Sequence, residues 1–198
     1  NSFLEKEKID RGDIRIVYST LDALKIAQNN FSKEVVFMGV GFETTSPTIA
    51  SAVLKAQKDE INNFSVLSVA KIMPPAMKAL LEGKEANIDG FICPGHVSAI
   101  IGSSPYNFIA SKHKIPCVVC GFEPLDVLQS IYMLVKQIED GRAEVEIQYE
   151  RAVKPEGNKI ALDKINEVFK VVDSDWRGIG NISLSGLEIK DKYGQFNA

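Results

Sequence analysis

Three short stretches hold most of the side chains in this sequence that could do chemistry: GFETTSP (Gly41–Pro47), PGHVS (Pro94–Ser98) and GFEP (Gly121–Pro124). Each combines glycine, proline and a group able to carry or accept a proton. His96 is one of only two histidines. An imidazole changes charge near neutral pH, so it can donate a hydrogen bond or take up a proton. Glu43 and Glu123 recur in Gly-Phe-Glu triplets, which suggests two carboxylates in similar geometry. Gly95 permits close backbone approach, and the N–H groups of a helix start beside His96 can hold an anion. Plainer roles compete with these. A glutamate in a first helical turn complements the macrodipole, Thr44, Thr45 and Ser46 can cap a helix, with Ser46 the expected N-cap, and His96 can be a core or capping residue.

Other patterns carry less. Gly39-Val40-Gly41 begins like a dinucleotide-binding turn but lacks the third glycine, and the next strand ends in Ala70 and Lys71 rather than an acid for a ribose hydroxyl. No GxxxxGK[ST] phosphate loop and no G-x-S-x-G elbow occurs. Cys117 and Cys120 form a C-x-x-C inside a predicted strand, where positions i and i+3 face opposite sides. They therefore read as structural, as does Cys93 before Pro94. His113 lies in the polar stretch SKHK and is set aside.

The elements that must position the three loops alternate between short apolar runs and helical periodicity, the pattern of a mostly parallel sheet with helices on its faces. Strands are expected at Ile14–Tyr18, Glu34–Val40, Phe64–Ala70, Gly90–Cys93 and Pro116–Cys120, the second apolar enough to be covered on both faces. Helices are expected from about Thr20, over Pro47–Asp59, from Pro74 to about Glu82, near His96, around Tyr106–Lys112 and over Pro124–Asp140. In a parallel sheet all three loops then lie at the carboxyl edge, where ligands bind. After Gly141 a half-exposed strand is expected at Glu144–Tyr149, a helix at Asn158–Val172 and a Gly/Ser-rich loop at Trp176–Gly186. The fold class is a doubly wound α/β domain with a C-terminal α/β extension. The division is residues 1–12 as a leading segment, 13–141 as the central domain and 142–198 as a stretch belonging with a neighbouring domain. With 198 residues, 23 basic against 26 acidic side chains, and three cysteines, the chain suits neither nucleic-acid binding nor a disulfide framework. No apolar run is long enough for a membrane span, so no membrane role and a cytoplasmic location are expected.

The segments DIRIVYSTLDALKIA, VVFMGVGFETTSPT, FSVLSVAKIMPPAMKALL, GFICPGHVSAIIG, VVCGFEPLDVLQSIYMLV and WRGIGNISLSG together closely resemble the HypD family of [NiFe]-hydrogenase maturation proteins. The resemblance implies two α/β domains facing across a cleft, a [4Fe-4S] region, and a scaffold role. In that role the family works with HypC in building the Fe(CN)2CO group, with cyanide arriving from HypE and HypF. It implies that Gly41, Phe42, Glu43, Thr44 and Thr45, then Pro94, His96, Val97, Ser98 and Gly102, and finally Gly121, Phe122 and Glu123 line the cleft wall. His96, Glu43 and Glu123 would be the working groups. The family's CGTH and GPGCPVC motifs do not occur here. The chain accordingly reads as a central fragment that binds no iron or cluster tightly by itself, carries no metal-ligand assignment and is inert alone. Two rival readings are a docking module for other maturation proteins, with Phe42 and Phe122 exposed, and an ordinary small-molecule or nucleotide-binding domain.

Overall fold

A computed structural model describes residues 13–83 and 87–198; the expected leading segment, residues 1–12, lies outside them. The fold is α/β, with mostly parallel strands and flanking helices. Its order is α1 (Thr20–Gln28), β1 (Val35–Gly41), α2 (Ser46–Lys58), β2 (Phe64–Ala70), α3 (Met73–Glu82), β3 (Phe91–Pro94), α4 (Gly95–Ile101), β4 (Cys117–Cys120), α5 (Pro124–Glu139), β5 (Val145–Ile147), α6 (Lys159–Val168), β6 (Phe169–Trp176) and β7 (Gly180–Ile189). Short 3-10 and π turns, Ser104–Tyr106 and Ile109–His113, lead from α4 to β4.

The parallel strands form two sheets, β1-β2 and β3-β4-β5, and β6-β7 is an antiparallel hairpin. One core gathers α1, α2, β2, α6 and the hairpin, with Leu24, Ile49, Val53, Phe64, Ile189 and Phe196 almost fully enclosed. A second core lies around Cys93, Tyr106, Ile109, Cys117 and Val119.

Local chemistry sets the element ends. The Ser19 hydroxyl accepts the Asp22 N–H at 3.2 Å to cap α1, and the Asn158 side chain accepts the Ala161 N–H at 3.1 Å to cap α6. At the start of α2 the N-cap is Thr45. Ser46 is one residue inside, and its hydroxyl donates to the Phe42 carbonyl at 3.1 Å. The predicted cap is thus displaced by a residue because the tight turn after Gly41 already brings that carbonyl over the helix start.

Three further expectations change. Ile14–Tyr18 forms no strand and ends in a bend, with Ile16 and Tyr18 exposed. An apolar run makes a strand only where a neighbour meets its hydrogen bonds, and none pairs with it among the described residues. β1 is covered on one face by α1 and α2, whereas Val36, Met38 and Val40 point outward together with Leu67 and Val69 of β2. Its high apolarity therefore does not mean burial on both faces. The helix expected to reach Val172 stops at Val168, and Phe169–Trp176 pairs with Gly180–Ile189. The supposed Gly/Ser loop is a β-hairpin whose turn is made by Gly178 and Gly180, at φ 82° and 102°, values that glycine adopts without a Cβ penalty. The Asp173 carboxylate bridges the bulge in that hairpin, accepting from the Ser183 hydroxyl at 2.7 Å and the Leu184 N–H at 2.8 Å.

One side chain ties the entrance of both first-sheet strands. The Asn63 amide nitrogen donates to the carbonyls of Ala27, Asn30 and Lys33 at 3.0, 3.1 and 2.9 Å. Truncation strips these carbonyls of their donor. Asn63→Ala is expected to cost about 2 kcal/mol and to lower the melting temperature by roughly 4–8 °C. Asn63→Asp, which sets a carboxylate against three carbonyl oxygens, is expected to cost more at pH 7; thermal denaturation of the two variants checks both.

Candidate functional site

The second and third loops meet because β3 and β4 are neighbours in register, Pro94 opposite Cys120. The chain turns from β3 directly into α4, and a Cβ on Gly95 would lie 2.3 Å from the Cys120 carbonyl oxygen and 2.9 Å from the Tyr149 ring. Only glycine permits that approach. It leaves His96 exposed on the first turn of α4, its ring 5.4 Å from that of Phe122 in the adjoining loop. Phe122 in turn meets Tyr149 edge-on at 6.1 Å, and the Arg151 guanidinium lies 4.4 Å above the Tyr149 ring.

Asp126 anchors this group. It is only 5% exposed and takes Arg151 in a two-pronged contact at 2.9 and 2.6 Å. It also accepts the Gln148 amide at 2.9 Å and the Glu123 N–H at 3.2 Å. The Arg151 guanidinium above all, with these donors, holds its carboxyl far below the usual carboxylate range. Glu123, at the N-cap of α5, joins a reciprocal capping box with Asp126, and its exposed carboxylate lies 3.9 Å from Arg151. Gly121 fits because a Cβ there would sit 2.1 Å from an Asp126 oxygen.

The first loop is built differently. Glu43 is only 3% exposed. Its Oε1 accepts the Met73 N–H at 2.8 Å, at the start of α3, while Oε2 is buried without a partner. Burial raises its pKa against the opposing pull of the backbone N–H donors. The two Gly-Phe-Glu triplets therefore do not present their carboxylates alike: Glu123 is an exposed cap, Glu43 a buried acid. The difference arises because the turn after β1 sets Glu43 against the start of α3, whereas the loop after β4 leaves Glu123 at the surface as the N-cap of α5. Phe42 packs 6.1 Å from Trp176 at the hairpin, and Lys71 donates to the Asp175 carbonyl at 2.7 Å, so the hairpin end braces this loop. The Thr45 hydroxyl donates to the Phe42 carbonyl at 3.0 Å. Thr44 is half-buried and makes no recorded side-chain bond among the described residues.

Ser98, fully enclosed, donates to the Pro94 carbonyl at 2.8 Å and lies 3.2 Å from the Tyr106 hydroxyl. Burial raises the Tyr106 pKa, and Glu43 is close enough for its charge to add to the shift, so Tyr106 links the surroundings of the first and second loops. Pro94 is the half-buried N-cap of α4, and Val97 is buried on the inner face of that helix. Gly102, at φ 81°, ends that helix against the Pro155 carbonyl, which gives it a packing reason. No hydrogen bond joins Glu43 or Glu123 to His96 among the described residues. Cys117 and Cys120 are both buried on opposite faces of β4; the Cys117 thiol donates weakly to the Ile115 carbonyl at 3.7 Å and lies in the second core with Cys93. The neighbouring Cys117 thiol, then burial, pushes the Cys93 thiol up. His113 is half-buried against Phe108 rather than solvated.

Sequence reasoning missed Tyr106, Asp126, Tyr149, Arg151 and Trp176. Asp126 was within reach, since Glu-Pro-Leu-Asp has the spacing of a capping box. Nothing in the order of residues points from Arg151 back to position 126. The raised Glu43 pKa carries a sign: the native state binds a proton more readily than the unfolded chain, so stability falls as pH rises from the ordinary glutamate range through the native value. Glu43→Gln is expected to match the parent at acid pH and to exceed it in melting temperature at pH 8; melts across pH 4–8 test this.

No helix among the described residues is long and apolar enough to cross a membrane. The HypD family profile, described as "Hydrogenase formation hypA family", matches residues 1–198. A hydrogenase maturation factor HypD of Rhodobacter capsulatus is 47% identical over 191 residues, covering 96% of this chain and 51% of that protein. The HypD factor of Escherichia coli K12 is 46% identical over 196 residues, covering 98% and 52%. A putative hydrogenase expression/formation protein of Methanocaldococcus jannaschii is 44% identical, covering 99% and 54%. The chain spans about half the length of the curated relatives it matches. With loops of the expected composition standing at strand ends, and with the match running from end to end, this chain belongs to the HypD family of hydrogenase maturation factors.

Proposed function

We propose that this chain supplies the proton-handling wall of a site where the Fe(CN)2CO group is assembled, in concert with HypC and with cyanide delivered from HypE and HypF. The observation that carries the reading is the seating of His96: it stands exposed at the carboxyl edge of β3, its ring braced by Phe122. A fixed, accessible imidazole can donate a hydrogen bond to a cyanide nitrogen or accept a proton as a ligand is transferred. Glu43 supports it from a distance. As a buried acid with an unpaired oxygen, it holds a proton more readily than a free glutamate. Arg151 and Glu123 set the charge beside the Phe122 face.

Iron enters this scheme as cargo. Among the described residues no three His, Cys, Asp or Glu side chains stand together as a metal site. The cluster associated with the family requires four thiolates. Cys93, Cys117 and Cys120 are buried, three in number and divided between the two faces of the β3-β4 sheet, so they do not fit it, and nothing proposed for these residues passes through a cluster.

In a full-length family member carrying these residues, His96→Ala and Glu43→Gln are expected to lower the yield of matured hydrogenase about 10²-fold or more. Co-purification with HypC should stay at the parental level. Unchanged maturation in both variants would refute the proposal. Loss of co-purification with Phe42→Ala and Phe122→Ala, at normal chemistry, would favour a docking surface instead.

A further inference from the structure

Helix α5 is turned inside out. Its face against the sheet is formed by Asp126, Ser130, Leu134 and Gln137, three of them polar. The Asp126 carboxylate takes Arg151, and the Gln137 amide oxygen accepts the Glu144 N–H at 2.8 Å, while the Gln137 amide nitrogen is buried without a partner among the described residues. The opposite face carries Leu125, Leu128, Ile131, Tyr132, Val135 and Ile138, all exposed, with Leu125 at 76% and Leu128 at 63%. At helical spacing these residues make one apolar stripe over about 20 Å of helix. Contiguous apolar surface of this kind marks an interaction site.

The ends of the stripe restrict what can cover it. At the N-terminal end Glu123 and Asp126 share one arginine, Arg151, and at the C-terminal end Asp140, Glu144 and Glu146 share Arg142 while Glu139 is exposed, with Lys136 the one base on the helix. Acid therefore exceeds base at both ends. A two-fold pair of these helices run antiparallel would set Glu123 against Glu139 and Asp140, and run parallel would set Glu123 against itself. Both juxtapose like charges, which disfavours self-association. The complementary ligand is a helix with an apolar face and basic residues at both ends.

We propose that the outer face of α5 is a docking surface for an amphipathic helix, basic at both ends, of a partner protein. The assignment shares only Glu123 and Arg151 with the assembly chemistry proposed above, and the residues that test it, Leu128 and Val135, lie outside that site.

The test uses two fluorescent 16-residue peptides with the same leucine face, one with lysines at both ends and one with glutamates, titrated against this chain by anisotropy. The lysine peptide is expected to bind at least tenfold more tightly, with the gap narrowing as salt is raised. Leu128→Glu and Val135→Glu, at exposed positions, are expected to weaken that binding at least tenfold, with an unchanged circular-dichroism melt showing that the fold is intact. Sedimentation should show a monomer. Four results would overturn the proposal: equal binding of the two peptides or none, binding indifferent to both substitutions, and a dimer that Leu128→Glu dissociates. The fourth is loss of peptide binding in a form extended to full family length, which would assign the face to packing within the chain.

Discussion

The approach of the Gly95 backbone to the Cys120 carbonyl is the constraint on which the candidate site depends. Parallel pairing of β3 with β4 fixes where the two strands end, and the absence of a Cβ lets α4 start directly over the end of β4. Any larger residue would push the helix away and carry His96 off the Phe122 ring. Gly121 does the same service one strand over, leaving room for the Asp126 carboxylate. Two glycines thus convert sheet register into the placement of an imidazole.

Behind that contact lies a relay of unlike interactions. The ion pair of Asp126 and Arg151 is held by the Gln148 amide and the Glu123 backbone, the guanidinium covers Tyr149, and Tyr149 supports Phe122. A carboxylate so enclosed is stable only with its donors satisfied, which makes the loop geometry stiff. The first loop uses the opposite device. Glu43 has only backbone N–H donors and no cation, so burial favours its neutral form. Two triplets of identical sequence therefore give one charged, solvated cap and one buried acid.

The two cores meet around these loops. The hairpin closes the first core and reaches Phe42 through Trp176, while Tyr106 belongs to the second core and lies within the electrostatic reach of Glu43. The outer faces of β1-β2 and of α5 both carry exposed apolar side chains. On α5 the usual rule is inverted: Asp126 finds Arg151 on the inner side, and the outer side is left to leucine, isoleucine, valine and tyrosine.

The α/β class, the parallel strands at Val35–Gly41, Phe64–Ala70 and Cys117–Cys120, and the three loops at strand ends were determined by the sequence alone. Hydrophobic period and the position of glycine and proline are local properties, and they need no knowledge of the partner. The hairpin of β6 and β7 was not legible: the glycines and serines of Trp176–Gly186 read as a loop, because what makes them a strand is the pairing with Phe169–Trp176. What only the tertiary structure decided was environment. Whether Ile14–Tyr18 pairs, which face of β1 is covered, that Cys117 shares a core with Cys93 and not with Cys120, and that Glu43 is buried while Glu123 is exposed all depend on groups far away in the chain. Burial, ion pairing and hydrogen-bond satisfaction are set by what lies opposite in space, and residue order does not encode that distance directly.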